Sequence, residues 1–183
     1  MMNRLDKKTR FYFFIGICIL SILFLILAVC LKVEVRENKT YEDRDHLAMY
    51  IIEYRHLPNN YILKEENPYL TRKEAVQNGV SFGGDVFEYR DEITKYTKNT
   101  DLREADYYLD REKGRDAGRF IYTASGKFEL FYTTDHYDSF TRITAFKINF
   151  ASNVMWFFFY GTYGYILVII IKKQMEVNRR KAN

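Results

Sequence analysis

Apolar positions along this chain follow three different rhythms. Two stretches are apolar without a break. "FYFFIGICILSILFLILAVCL", Phe11 to Leu31, runs 21 residues without a charge, about 31 Å at the helical rise and so the thickness of a bilayer core. "VMWFFFYGTYGYILVIII", Val154 to Ile171, runs 18 residues to Lys172 and Lys173. Its tyrosines and Trp156 suit a membrane interface, and "ILVIII" suits lipid. The rest of the chain is too small to bury either stretch, so both predict membrane-spanning helices. Between them lies helical spacing: Leu47, Tyr50, Ile51 and Tyr54 in "DHLAMYIIEYRHLP", ended by Pro58. "LPNNYILKEENP" reads as loop or a short helix. "YLTRKEAVQNG" predicts a capped helix, with Thr71 as N-cap, Glu74 three residues on and Gly79 past the end. Then the period drops to two in "VSFGGDVFEY", "LREADYYL", "GRFIYTA", "KFELFYTT" and "DSFTRITAF", with "ASGK" as a tight hairpin. The expected fold is α+β, with N-terminal helices packed on a five-stranded antiparallel sheet and one transmembrane helix at each end.

Charge orients this arrangement. Arg4, Lys7, Lys8 and Arg10 outweigh Asp6 before the first span; Lys172, Lys173, Arg179, Arg180 and Lys181 outweigh Glu176 after the second. Both termini are expected in the cytoplasm and the middle outside, as in a multi-pass protein of the cell membrane. Residues 33–150 hold 18 Lys+Arg against 22 Asp+Glu, a net of −4, although the whole chain is formally +4. The positive total thus reports topology and gives no nucleic-acid-binding surface by itself. Cys18 and Cys30 both fall in the first span, which leaves no disulfide framework. That span exceeds the apolar core of a signal peptide and lacks a small-residue cleavage site, so an uncleaved anchor is expected. The expected divisions are 1–10 cytoplasmic, 11–31 span, 32–44 tether, 45–144 folded domain, 145–153 linker, 154–171 span and 172–183 basic cytoplasmic tail.

Candidate chemistry sits in the strand region. Period two puts Glu104 and Asp106 on one face of "LREADYYL" and Arg103, Ala105 and Tyr107 on the other. Two acids side by side call for cations, and Arg115 and Arg119 are four apart in the next segment. A carboxylate, a pair of arginines and the histidine of "TTDHYDSFTRI", His136, together suffice to handle a phosphate. On spacing alone the same residues describe a surface strand crossed by salt bridges. His46 and His56, on or just after the first soluble helix, read as surface residues.

Six blocks change that balance: "HLAMYIIEYRHLPNNY", "YLTRKEA", "SFGGDVFEYR", "READ", "GRDAGRFIY" and "FYTTDHYDSFTRI". In this order they resemble the bacterial ribonuclease family of barnase, over residues 45–144 and neither span. The resemblance implies a metal-independent, cofactor-free endoribonuclease acting on single-stranded RNA. Glu104 takes the place of the general base that deprotonates the ribose 2′-hydroxyl, and His136 that of the general acid that protonates the departing 5′-oxygen. The product is a 2′,3′-cyclic phosphate, so DNA is not a substrate. Arg115 and Arg119 fall on the phosphate-clamping arginines, Asp106 on the acid that orients them, and Tyr137 on a residue lining the base or ribose. A histidine with that task must be cationic at rest, and Glu104 must be ionised when RNA arrives.

The chain also departs from the family's pattern. Arg72 stands at the phosphate-binding lysine, with Lys73 beside it and Lys64 as a rival. The loop after the second helix is nearly absent. Asp91 replaces the glutamate of the base-recognition loop, in "EYRDE". Family members are held in check by barstar-like inhibitors, which makes such a protein an expected partner besides RNA and the bilayer. The rival reading is a non-catalytic, membrane-tethered binding module on a retained ribonuclease fold.

Overall fold

The computed structural model describes residues 6–41, 43–88, 90–107 and 118–182. The chain divides into two units, Met1–Lys32 with Asn149–Asn183, and Val33–Ile148.

The first unit is a pair of helices, α1 (Lys7–Cys30) and the last helix of the chain, α6 (Phe150–Ala182). Asp6 caps α1 by accepting from the Thr9 amide at 2.9 Å. The two helices pack on each other. Phe24 stacks on Phe158 with centroids 5.2 Å apart, and the buried Ser152 hydroxyl donates to the Ala28 carbonyl at 2.6 Å. Both are long and apolar enough to cross a membrane. α6 starts before Val154 and continues through the basic tail, because nothing after Ile171 stops it: the residues there are mostly good helix formers with no glycine or proline. The expected linker 145–153 is correspondingly almost all helix, with α5 (Ala145–Ile148) just ahead of α6.

The second unit is built on a sheet. It opens with α2 (Arg44–Tyr54), where Asp43 accepts from the amides of Asp45 and His46, both at 3.0 Å, and Arg55 closes the helix in the left-handed region at φ 64. β1 (Tyr61–Ile62), α3 (Arg72–Gln77), β2 (Ser81–Val86) and the single turn α4 (Arg90–Ile93) follow. The remaining strands are β3 (Leu102–Asp106), β4 (Arg119–Thr123), β5 (Leu130–Thr133) and β6 (Thr141–Ile143). α3 carries the expected capping box: the Thr71 hydroxyl accepts from the Glu74 amide at 3.2 Å, and the Glu74 carboxylate accepts from the Thr71 amide at 2.8 Å.

The strands lie in the order β1-β2-β3-β4-β5-β6. The sheet is therefore six-stranded and mixed, where five antiparallel strands were expected. β2 to β6 are the five alternating segments, all antiparallel. The addition is β1, within "NYILKEE", which pairs parallel to β2 with Tyr61 opposite Ser81. Between these strands the chain passes through α3, a crossover that brings it back in the same direction. The β4–β5 connection is also wider than a tight hairpin, spanning 124–129 with Gly126 at φ 72 and the Thr123 amide donating to the Glu129 carbonyl.

The sheet buries both faces. On one, Ala105, Phe120, Tyr122 and Leu130 pack under Leu47, Ala48 and Ile51 of α2. On the other, Leu102, Ile121 and Phe131 pack with Phe87, Ile93 and Phe140. β2 carries a bulge between Gly83 and Val86, which pair with Ala105 and Arg103, and Gly84 takes φ 98 there. Gly83 has no room for a side chain: a Cβ would stand 2.8 Å from Ala105 Cβ and 2.7 Å from Leu57 Cδ1 and Tyr61 Cδ1. Gly83→Ala is expected to cost about 1–3 kcal/mol by overpacking, read as a lowered midpoint in urea unfolding.

Candidate functional site

The strand alternation that builds the second core also builds the polar cluster beside it. Leu102, Glu104 and Asp106 of β3 share the face of Ile121 and Arg119 of β4, since Glu104 lies opposite Ile121 and Asp106 opposite Arg119. The Arg119 guanidinium meets its cross-strand neighbour with Nε 2.9 Å from Asp106 Oδ1, both side chains at 5% exposure or less. Its Nη1 donates to the Gly118 carbonyl at 2.6 Å. The other Asp106 oxygen accepts from Arg72 Nε at 2.8 Å, and Arg72 is the first residue of α3. One buried carboxylate thus holds two guanidinium groups from two different elements.

Glu104 stands beside this triad, half-buried. Burial pushes its pKa above the ordinary glutamate range, and the Asp106 charge pushes the same way. A hydrogen bond from Tyr137 and the charges of Arg119 and Arg72 pull it back without cancelling the rise. The Tyr137 hydroxyl donates to Glu104 Oε2 at 2.8 Å. Burial, the Glu104 charge and that bond all push the tyrosine's own pKa up, so its proton stays on.

Tyr137 arrives through an unusual turn. After β5 both His136 and Tyr137 adopt positive φ, 55 and 78, a region non-glycine residues seldom occupy. Asp135 anchors the turn. It accepts from the Thr133 hydroxyl at 2.7 Å, the Ser139 hydroxyl at 2.5 Å and the Ser139 amide at 3.0 Å. These donors hold its carboxyl down at about 2. The Tyr137 amide donates back to the Thr133 hydroxyl, and its ring wedges against Phe87 with centroids 5.3 Å apart.

The structure brings together four of the expected site residues: Glu104, Asp106, Arg119 and Arg72. It adds Tyr137 in a way the sequence reading missed. Tyr137 was expected to line base or ribose; its hydroxyl is spent on Glu104. No local signal announced that bond, because the two left-handed residues break the alternation that would have aimed the ring. His136 is exposed, and among the described residues no side chain bonds to its ring. Lys73 and Asp91 are exposed and outside the cluster, Asp91 in the first turn of α4. Arg115 lies outside the described residues. Lys64 is occupied: its ammonium donates to the carbonyls of Asn67, Pro68 and Leu70 and sits 4.6 Å from the Phe82 ring centre, which organises the loop before α3. Of the three rivals, Arg72 is the one bonded into the cluster. His56 is exposed, while His46 is half-buried, its ring 2.8 Å from Asp43 and stacked on Tyr41.

A pocket opens over this face, lined by Glu104, Asp106 and Arg72 with Lys64, Asp85 and Glu88. Asp85 and Glu88 escaped the sequence reading. Asp85 accepts from the Lys64 and Glu65 amides, so it ties the loop after β1 to β2. Among the described residues no group of three or more His, Cys, Asp or Glu side chains is arranged to hold a metal.

No protein-family model matches the chain. Curated proteins do. The ribonucleases of Bacillus intermedius and Bacillus pumilus are each 38% identical over 106 residues, covering 54% of this chain and 63% of their own. A ribonuclease of Heyndrickxia coagulans is 37% identical over 106 residues, covering 54% of this chain and 94% of its own. The chain thus spans less than two thirds of the length of the two Bacillus proteins.

Two outcomes test this electrostatic picture. Asp106→Asn strands the buried Arg119 guanidinium and is expected to cost about 3–5 kcal/mol in denaturant unfolding. Glu104 binds its proton more tightly folded than unfolded, so its contribution is fully present below the unfolded pKa and is lost as pH rises through the folded one. A melting series across that window should fall more steeply with pH for the parent than for Glu104→Gln, which ought to melt higher at neutral pH.

Proposed function

The chain belongs to the barnase-like family of bacterial ribonucleases, and from that premise we propose that its sheet unit is a metal-independent endoribonuclease acting on single-stranded RNA. The observation that carries the reading is the half-buried Glu104 carboxylate, set beside Arg119 and Arg72 and given a proton affinity above the usual range.

Glu104 removes the proton from a ribose 2′-hydroxyl. The freed oxygen attacks the adjacent phosphorus, the bond from phosphorus to the 5′-oxygen breaks, and His136 gives that oxygen its proton. The products are a 2′,3′-cyclic phosphate and a 5′-hydroxyl, so DNA, which has no nucleophile, is left intact. A base must lose its proton near working pH and regain it later, which is what a raised carboxyl pKa permits. Arg119, Arg72 and Arg115 carry the charge that builds on the non-bridging oxygens. Asp106 aims the first two, and Lys73 flanks them. Tyr137 tunes Glu104. Asp91, with Glu88 nearer the pocket, sits where the family reads its base.

The cellular setting is part of the proposal. α1 and α6 anchor the enzyme in the membrane through residues 11–31 and 154–171. Lysine and arginine at both ends keep the termini in the cytoplasm, and the ribonuclease faces outward. That placement separates it from the cell's own RNA; a barstar-like inhibitor guards chains that insert the wrong way. One observation favours the tethered, non-catalytic module instead: carboxylates Glu65, Asp85, Glu88, Glu104 and Asp106 outnumber Lys64 and Arg72 around the pocket.

Turnover separates the two. The full-length protein is expected to cleave an RNA dinucleotide to the cyclic phosphate in the presence of EDTA and to leave the 2′-deoxy analogue intact. Glu104→Gln and His136→Ala should each lower the rate by about 10²–10⁴-fold; RNA binding without cleavage by the parent would establish the module. Tyr137→Phe removes a bond that lowers the Glu104 pKa. Its signature is an acid limb of the kcat/KM profile displaced to higher pH.

A further inference from the structure

The sheet face turned away from Glu104 carries a second opening that the proposed reaction does not use. Arg55 and His56 after α2, Asn59, and Gly83, Arg103 and Tyr122 of the sheet are among its lining. Each arginine arrives there for a local reason. Arg103 neighbours Glu104 on β3, so alternation sends it to the opposite face, where it lies directly across from Tyr122. Its Nη1 donates to the Gly84 carbonyl at 3.3 Å. Arg55 closes α2 in the left-handed region, which turns the chain out of the helix. Its guanidinium carbon lies 3.8 Å from the centre of the Phe128 ring, a cation–π contact.

Among the described residues no carboxylate bonds to either guanidinium. The acid nearest His56 is the exposed Glu37, 4.0 Å from its Nε2. In a segment whose acids outnumber its bases, the two arginines face this opening without a bonded acid, and Asp85 is the carboxylate whose charge also reaches Tyr122. Burial pushes the Tyr122 pKa up to about 12, so the phenol keeps its proton as a donor. Two planar forks, a phenol and an amide match the non-bridging oxygens of a phosphodiester. Gly83 lines this opening and the Glu104 pocket alike, so the two are neighbours across β2.

We propose that this groove binds a backbone phosphate of RNA outside the scissile step, extending the substrate track from the Glu104 pocket round the β1–β2 side of the sheet. This rests on the ribonuclease reading, and the experiment keeps the two apart. Full-length protein in phosphatidylcholine nanodiscs is titrated into a labelled 2′-O-methyl RNA 12-mer, which cannot be cleaved, and into the matching dinucleotide. The dinucleotide's single phosphate belongs to the scissile position. Arg55→Ala with Arg103→Gln should weaken the 12-mer at least about tenfold and reduce the slope of log K against log salt by about 0.7 for each phosphate lost. Binding of that dinucleotide, and cleavage of its unmodified ribose counterpart, should not change. Unchanged 12-mer affinity overturns the proposal, as does an equal loss for the dinucleotide. Equal affinity of the parent for a glutamate 12-mer also overturns it and gives the groove to an acidic peptide. A parent that never cleaves yet holds the 12-mer through these two arginines sinks the catalytic reading and leaves this one standing.

Discussion

The Asp106 carboxylate ties the polar end of this sheet together. One oxygen meets Arg119 of the neighbouring strand, the other meets Arg72 at the start of α3, and the carboxylate itself is out of water. A buried ion pair is stable only when its geometry is good and its remaining donors are met. Here a carboxylate between two guanidiniums also sets the field that Glu104 feels. The charges of Arg119 and Arg72 pull the Glu104 pKa down, and the Asp106 charge pushes it up. Part of the arginines' effect is thereby offset, and burial, the largest influence, leaves the carboxyl with a raised pKa. The same two oxygens therefore hold the triad together and add to the rise that burial gives Glu104.

The two sheet faces divide the work between adjacent residues. In "READ", Arg103 and Ala105 turn toward α2 while Glu104 and Asp106 turn toward the pocket. Ala105 is small because Gly83 crosses it with no space between. The apolar clusters on both faces anchor the strands, and the polar groups hang from positions those clusters have already fixed. This is how a short strand offers two carboxylates on one side and an arginine on the other.

Much of this was legible from periodicity. The alternation of β2 to β6, the Thr71–Glu74 cap and the shared face of Glu104 and Asp106 are local properties, and each stands where the pattern put it. β1 was not legible, because two residues cannot display a period and its pairing depends on a partner 20 positions away. The choice among Lys64, Arg72 and Lys73 was also closed to sequence, since it turns on which loop carbonyls capture an ammonium. Tyr137 was hidden for a third reason. Its aim is set by two left-handed residues and an Asp135 clamp, and neither follows from residue type. α6 runs on past the expected span because a change from apolar to charged residues does not end a helix.

The bulge in β2 has a consequence for the tyrosine at the other end of the site. Before it, Gly83 belongs to the layer under α2; past it, parity is reversed, and Phe87 enters the opposite layer with its amide bonded to Leu102. Flattening the bulge with every residue kept would slip the register by one and swing that phenylalanine to the wrong side. Tyr137 would then lose the surface it leans on, and Glu104 the phenol that steadies it. The flaw in the pleat is thus what keeps the Glu104 carboxylate supported from across the sheet.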